Sequence, residues 1–310
     1  MFSVLEEEMF SLVGEGAGAA APGPIFILGA PRTGSTILYQ MLVAGYELPY
    51  ISNATNGMFA ETPIVGLSLQ APWTRFDRIL ARSAYGKVEG AMQPSEGSAV
   101  MRRWFGGGHP SEIVSSEPLP SAAAHMQSTF AAASALLGKP VVIKNAWNCF
   151  RVVALGRLLP QASFVWIRRD IAASALSDLA ARYATKNDPN EWNSATPRNI
   201  EDLRKRPYWE QVVENQFEFS RAISEAFAAL PSARCTELWY EDLCARPAET
   251  LGLLAAHLSL QEDVGIRRVL DVQEGERASR LSPEDRSRVL DYVSSQQERL
   301  ASCRRETADA

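Results

Sequence analysis

The chain is most constrained by residues 24–38, Pro-Ile-Phe-Ile-Leu-Gly-Ala-Pro-Arg-Thr-Gly-Ser-Thr-Ile-Leu. Four apolar residues, 25–28, predict a short buried strand. The glycines at 29 and 34 bracket a tight loop, and residues 35–44 predict a helix, with Leu38, Met41, Leu42 and Gly45 at helical spacing. A strand, a glycine loop and a helix N-terminus together make an anion site. The first backbone N–H groups of the helix have no partner, and its dipole favours negative charge there.

The spacing is close to a Walker A loop, G-x-x-x-x-G-K-[ST]. Gly29 and Gly34 hold the glycine positions and Thr36 the hydroxyl position. Ser35 stands where the lysine belongs, and the basic residue has moved inside the loop, to Arg32. A nucleoside triphosphate loop uses that lysine on the outer phosphates and the hydroxyl on Mg²⁺. A loop for one phosphate-linked group without a metal needs only N–H donors, hydroxyls and a nearby cation. Gly-Ala-Pro-Arg-Thr-Gly-Ser-Thr closely resembles the 5′-phosphosulfate loop of sulfotransferases that use 3′-phosphoadenosine 5′-phosphosulfate (PAPS). The resemblance implies that Arg32, Thr33, Gly34, Ser35 and Thr36 hold the 5′-phosphosulfate.

Further strands are expected at 140–144, 163–168 and 235–240, alternating with helices at 121–137, 148–159, 171–183, 208–230 and 247–258. Continuous apolar strands alternating with helices argue for a parallel sheet covered on both faces. The expected fold is α/β, a P-loop nucleotide-binding type in three α/β/α layers around a central parallel sheet of four or five strands. Residues 1–23 read as a short helix and linker, 24–300 as one α/β domain and 301–310 as a charged tail. Residues 50–120 are irregular and rich in Gly and Pro, a loop-rich wall for a substrate. There Trp104 and Phe105 would sit in local core or line a pocket. Residues 186–206 are polar and read as a loop over the site.

Composition narrows the partners. A formal charge of −5 gives no electrostatic case for nucleic acid. No apolar run reaches the roughly 18 residues of a membrane span, and the acidic N-terminus lacks the basic region of a signal peptide. The cysteines, Cys149, Cys235, Cys244 and Cys303, have no metal spacing and read as reduced thiols of a cytoplasmic protein. No metal site is expected.

The second informative stretch runs from Phe164 to Ser177, where a strand ends in Arg168-Arg169-Asp170 and a helix follows. Arg169 sits at the carboxyl end of a strand, where open α/β sheets bind ligands. Ser177 lies eight residues on, and Ser174 is a second hydroxyl. Alternatively the arginines pair with Asp170 or Asp178 on the surface, or Asp170 ends a Walker B strand. Arg169 and Ser177 resemble the family's 3′-phosphate motif, and a guanidinium fork suits phosphate.

The resemblance carries three further implications. Lys144 ends the second expected strand, where family members carry a strand-terminal lysine, and would stabilise charge on the departing oxygen, with Arg32 as the other candidate. Leu238-Trp239-Tyr240-Glu241-Asp242 resembles the segment that brings a tyrosine near the adenine, so Tyr240 is a donor-binding candidate. Arg277 and Arg280 would lend a late basic loop to the 3′-phosphate. The departure concerns the base. The histidine of the family's cytosolic Lys-Thr-His stretch is missing from Lys144-Asn145-Ala146. Glu61 corresponds in position to the glutamate base of Golgi-type members, with Glu89, Glu96, His109 and His125 as alternatives. The expected activity is sulfuryl transfer from PAPS, leaving 3′,5′-bisphosphoadenosine (PAP), to a hydroxyl or amine of a small-molecule, lipid or carbohydrate acceptor. The rivals are an ATP/Mg²⁺ P-loop kinase and a non-catalytic nucleotide-binding protein.

Overall fold

In the computed structural model, which describes residues 1–13, 22–79, 88–107, 115–193, 195–260 and 281–301, four strands form one parallel sheet. They are β1 (Ile25–Leu28), β2 (Val142–Lys144), β3 (Ser163–Arg168) and β4 (Cys235–Trp239), in the order β2-β1-β3-β4. Every pairing is parallel, with Ile27 opposite Lys144, Leu28 opposite Trp166, and Arg168 opposite Trp239. All carboxyl ends therefore lie along one edge. That edge carries the 29–34 loop, Lys144, Arg169 and Tyr240.

Side-chain alternation splits β1 between two cores. Phe26 and Leu28 join Ile143, Phe164 and Trp166 in one cluster, covered by the helices Ser98–Phe105, Ala123–Leu137 and Tyr208–Ala228. Ile25 and Ile27 join Val142, Val165 and Ile167 in the other, covered by the Ser35–Tyr46 helix through Leu38, Met41 and Leu42. β1 and β2 are buried along their whole length, on both faces of the sheet, and β1 accordingly reads as an unbroken apolar run. A third cluster joins the Ile171–Lys186 helix to Tyr208–Ala228 and Pro283–Ser295 through Ala175, Leu179, Val212 and Val289. It anchors the helix that carries Ser177.

The irregular wall contains short helices at Asn53–Met58, Pro63–Gln70 and Ser98–Phe105. Ser52 caps the first by accepting from the Thr55 N–H at 3.0 Å. Gln70 ties the second back to Thr55 (2.8 Å) and the Tyr50 carbonyl (2.8 Å). Trp104 and Phe105 are core residues, each 1% exposed. Within the expected polar loop at 186–206, Ile200 and Leu203 are buried in a short helix. The fourth strand stops at Trp239, because Tyr240 begins the Tyr240–Ala245 helix. No helix among the described residues is long and apolar enough to cross a membrane.

Candidate functional site

The loop after β1 is held by side chains from distant parts of the chain. Thr33 closes it by donating Oγ1–H to the Ala30 carbonyl at 2.8 Å. A Cβ on Gly29 would lie 2.6 Å from Thr33 Oγ1 and 2.9 Å from the Ile167 carbonyl, so only glycine lets loop and β3 approach this closely. Gly34, at φ 90°, is the N-cap of the Ser35–Tyr46 helix and makes no side-chain cap bond. The first helical hydrogen bond runs from Leu38 N–H to the Gly34 carbonyl. The N–H groups of Ser35, Thr36 and Ile37 thus stay outside the helix ladder, at the positive end of its dipole. Arg32 lies in the left-handed region at φ 74°, a conformation that persists only where neighbours enforce it. The Gln216 amide donates to the Pro31 carbonyl at 3.0 Å, and Arg169 Nη1 donates to the Arg32 carbonyl at 3.1 Å.

On the β3 side the two phosphate-directed segments meet. Arg32 Nε donates to Ser177 Oγ at 3.2 Å across 145 residues of chain. The Arg169 guanidinium lies 4.4 Å from the centre of the Tyr240 ring. That ring covers Gly34, where a Cβ would come within 2.2 Å of Tyr240 Cδ2. Arg169 Nε is buried without a hydrogen-bond partner. Asp178, 1% exposed, follows Ser177 on the same helix. Burial pushes its carboxyl up, while Arg182 and Arg32 pull it back down. The surface pairing of the arginines takes another form than Asp170 or Asp178. Arg168 binds Glu237 at 2.8 Å between Trp166 and Trp239. Asp170 caps its own helix, accepting from the Ala173 N–H at 2.8 Å, so its carboxylate is already in structural use. Ser174 is fully buried, its hydroxyl without a partner.

On the β2 side Lys144 is 6% exposed and its ammonium pairs with the Glu96 carboxylate. Asn145 donates to the Glu96 carbonyl at 3.0 Å, fixing the strand end to the segment before Ser98–Phe105. Cys149 links this pair to the loop, with its Sγ 3.4 Å from the Gly29 nitrogen. Burial pushes the thiol up to about 12, the Gly29 N–H and Lys144 opposing and Glu96 adding to the rise. Burial also pushes Tyr39, on the loop helix, well above its usual range, with Tyr50 and Glu96 adding to it.

The other base candidates lie elsewhere. Glu61 pairs with Arg103 at 2.9 Å, with 80% of its side chain exposed. Glu89 is exposed. His125 accepts from Trp104 Nε1 on Nδ1 at 2.9 Å and meets the buried Glu6 through Nε2 at 3.0 Å, which fastens the Phe2–Val13 helix. Both its ring nitrogens are engaged. His109, Arg277 and Arg280 lie outside the described residues. Gln216 is a site-building residue that motif reading does not single out, and Cys149 and Asp178 enter it only as a reduced thiol and as a surface partner of the arginines. Among the described residues no group of three or more His, Cys, Asp or Glu could hold a metal ion.

The profile described as "Sulfotransferase family" matches residues 24–263. Among solved structures, the chain is similar to a sulfotransferase of Mycobacterium tuberculosis, at 18% identity over 93% of this chain and 81% of that one, with a TM-score of 0.49. It is also similar to one of Alicyclobacillus acidocaldarius, at 12% identity over 91% and 96%, with a TM-score of 0.48. Among curated protein sequences none matches.

Proposed function

The chain belongs to the sulfotransferase family, and from that premise we propose that it moves a sulfuryl group from PAPS to a hydroxyl or amine of a small-molecule, lipid or carbohydrate acceptor. The observation that carries the donor assignment is the contact of Arg32 with both Ser177 and Arg169, beside an uncapped helix N-terminus. The site suits an adenosine nucleotide with phosphates at both ends. The orphaned Nε of Arg169 is a donor still to be used, and the Tyr240 ring offers a face beside it.

When bound, the donor supplies a sulfuryl group whose departure leaves charge on the oxygen that bridged sulfur and phosphorus. Residues 32–36 bind the 5′ end through N–H groups, hydroxyls and the Arg32 cation. Arg169 and Ser177 hold the 3′-phosphate. Lys144 supplies the cation for the departing oxygen, kept in position by its burial and by Glu96. Glu96 takes the proton from the acceptor hydroxyl. Its place against the buried Lys144 at the carboxyl edge of the sheet favours it over Glu61, which lies on the surface with Arg103. A cytoplasmic setting is supported by Cys149 and Cys235, which form no disulfide.

Two features weigh against the kinase reading: Ser35 in the lysine position and Asp170 engaged as a helix cap. Calorimetry with PAP and with ATP–Mg²⁺ tests the assignment. PAP should bind tightly in excess chelator. Tighter binding of ATP–Mg²⁺ would overturn the reading. Turnover of a panel of phenols, sugars and hydroxylated lipids then separates an enzyme from a silent nucleotide-binding protein.

A further inference from the structure

The turn that follows β2, Ala146–Phe150, leads through Arg151 into the Val152–Leu158 helix and is rich in donors but short of acceptors. The buried basic side chains of the described residues are Lys144, Arg151 and Arg182. Lys144 has Glu96 for a charge partner, and Arg182 has Asp178. Arg151, 2% exposed, has no carboxylate among the described residues. Its Nε donates to the Ser115 carbonyl at 3.1 Å and its Nη1 to Asn148 Oδ1 at 3.3 Å, and its guanidinium lies 4.2 Å from the centre of the Phe105 ring. These contacts occupy hydrogens and leave the charge unmatched. Burial pushes the guanidinium down to about 9 with no neighbouring charge to oppose it. A buried ion without a counter-charge is strongly unfavourable, and such groups gather at functional sites.

Asn148, fully buried, adds to the imbalance. An arginine only donates, so the amide oxygen faces Arg151 and the Nδ2 group turns away, without a partner. One residue earlier, the Trp147 indole N–H is buried without a partner as well.

We propose that Arg151 and Asn148 form an acceptor subsite for a carboxylate, so that the molecule sulfated carries an acid group besides its hydroxyl or amine. This rests on the PAPS assignment above and names the class of its acceptor.

The turn stands at the right place for that role. It starts from Asn145, which holds the Glu96 carbonyl, and its Cys149 lies against the Gly29 nitrogen. From there Arg151 reaches Ser115 and Phe105 in the irregular wall. An acid group bound here fastens one end of an acceptor beside the Lys144–Glu96 pair, where the proposed transfer takes place. A carboxylate supplies the single negative charge that Arg151 lacks. Its two oxygens accept from the guanidinium and from Asn148 Nδ2.

The test titrates PAP-loaded protein by calorimetry with hydroxyphenylacetate, hydroxydecanoate and glucuronate, each against its neutral amide. At least one acid should bind wild-type protein about 10- to 150-fold more tightly than its amide, the scale of one charge-assisted hydrogen bond. Arg151→Gln should erase that preference by weakening the acid alone. Asn148→Asp gives Arg151 a carboxylate from within the chain and should erase it too, which keeps the test open should the glutamine variant fail to fold. Both variants should bind PAP within about threefold of wild type. Equal binding of acid and amide in every pair by wild-type protein would overturn the subsite, and so would an acid preference that survives the substitutions. Loss of PAP binding in the variants would move Arg151 to the donor site and overturn it as well. A wild-type protein that fails to bind PAP at all would overturn the donor assignment instead.

Discussion

The two flanks of β1 are built on opposite electrostatic plans. On the β2 flank one cation meets one carboxylate, Lys144 with Glu96, nearly cancelling in charge and mostly shielded from solvent. On the β3 flank Arg32 and Arg169 are linked to each other, to Ser177 and to the Tyr240 ring, and the carboxylate near them, Asp178, also faces Arg182. A balanced pair is suited to following charge as it moves during a reaction, because neither partner is committed to a fixed ion. An excess of forked donors is suited to holding charge that does not move. The loop between them offers backbone N–H groups to both sides. The proposed function thus divides transfer chemistry and donor recognition between the two strands that flank β1.

The division can be broken most sharply at Glu96. Glu96→Gln should lower kcat by about 10²–10⁴, the range for losing a general base, with PAP affinity nearly unchanged. If Glu61→Gln produces that loss instead, proton transfer does not belong to the β2 flank. Next comes Lys144→Ala, expected to lower kcat by roughly 10²–10³ while PAPS binding changes far less. A collapse of PAP affinity at wild-type kcat would make Lys144 a binding residue and erase the contrast between the flanks. On the opposite side, Arg169→Ala should weaken PAP by about 10- to 150-fold and adenosine 5′-phosphosulfate much less. Equal losses would mean that the β3 flank does not distinguish the two ends of the donor.

Smaller effects sharpen the boundary between the flanks. Gly34→Ala forces a Cβ against the Tyr240 ring and holds alanine at φ 90°. It should cost about 1–2 kcal/mol in denaturant unfolding. Adding Tyr240→Ala should recover only the clash, since the backbone penalty stays. The smallest signal comes from Cys149, whose thiol burial pushes up to about 12. Alkylation of the native protein near pH 8 should spare Cys149, because its thiol is buried and burial disfavours the thiolate. Rapid labelling of Cys149 would mean that the floor beneath Gly29 opens in solution.

Motif reading reached the framework because the strands announce themselves. Ile25–Leu28 and Ser163–Arg168 are apolar runs next to a glycine loop and an arginine pair, and they sit where the sequence predicts them. The second strand is shorter than expected, and the following helix begins as a tighter turn, Ala146–Phe150, because Asn145 caps it by accepting from the Trp147 N–H. The β2 flank was far less legible. Glu96 and Lys144 are 48 residues apart, and the segment holding Glu96 has no period of its own. It is fixed by backbone bonds such as Ser95 N–H to the Ile51 carbonyl. Gln216 is one polar position on a long helix, and nothing local shows that its amide reaches Pro31. The course of the Arg32 side chain was hidden for the same reason. It depends on which neighbouring strand supplies a hydroxyl.

The register of the sheet also sets a schedule for biosynthesis. Ile25 pairs with Val142 on one side and with Ser163 on the other. The stretch made first among the strands must therefore wait for partners more than a hundred residues downstream. At about 5–20 residues per second of synthesis, roughly 6–23 s separate the appearance of Leu28 from that of Lys144, which completes its first partner strand. Throughout that interval Ile25, Phe26, Ile27 and Leu28 have no sheet to enter, and a run of four bare apolar residues with strand propensity is the kind of segment that associates with other chains. Pro24 before the run and Gly29-Ala30-Pro31 after it limit how far such an association can extend, since proline cannot continue a ladder of backbone hydrogen bonds. The prolines on either side of β1 thus limit association of the nascent chain before the sheet exists.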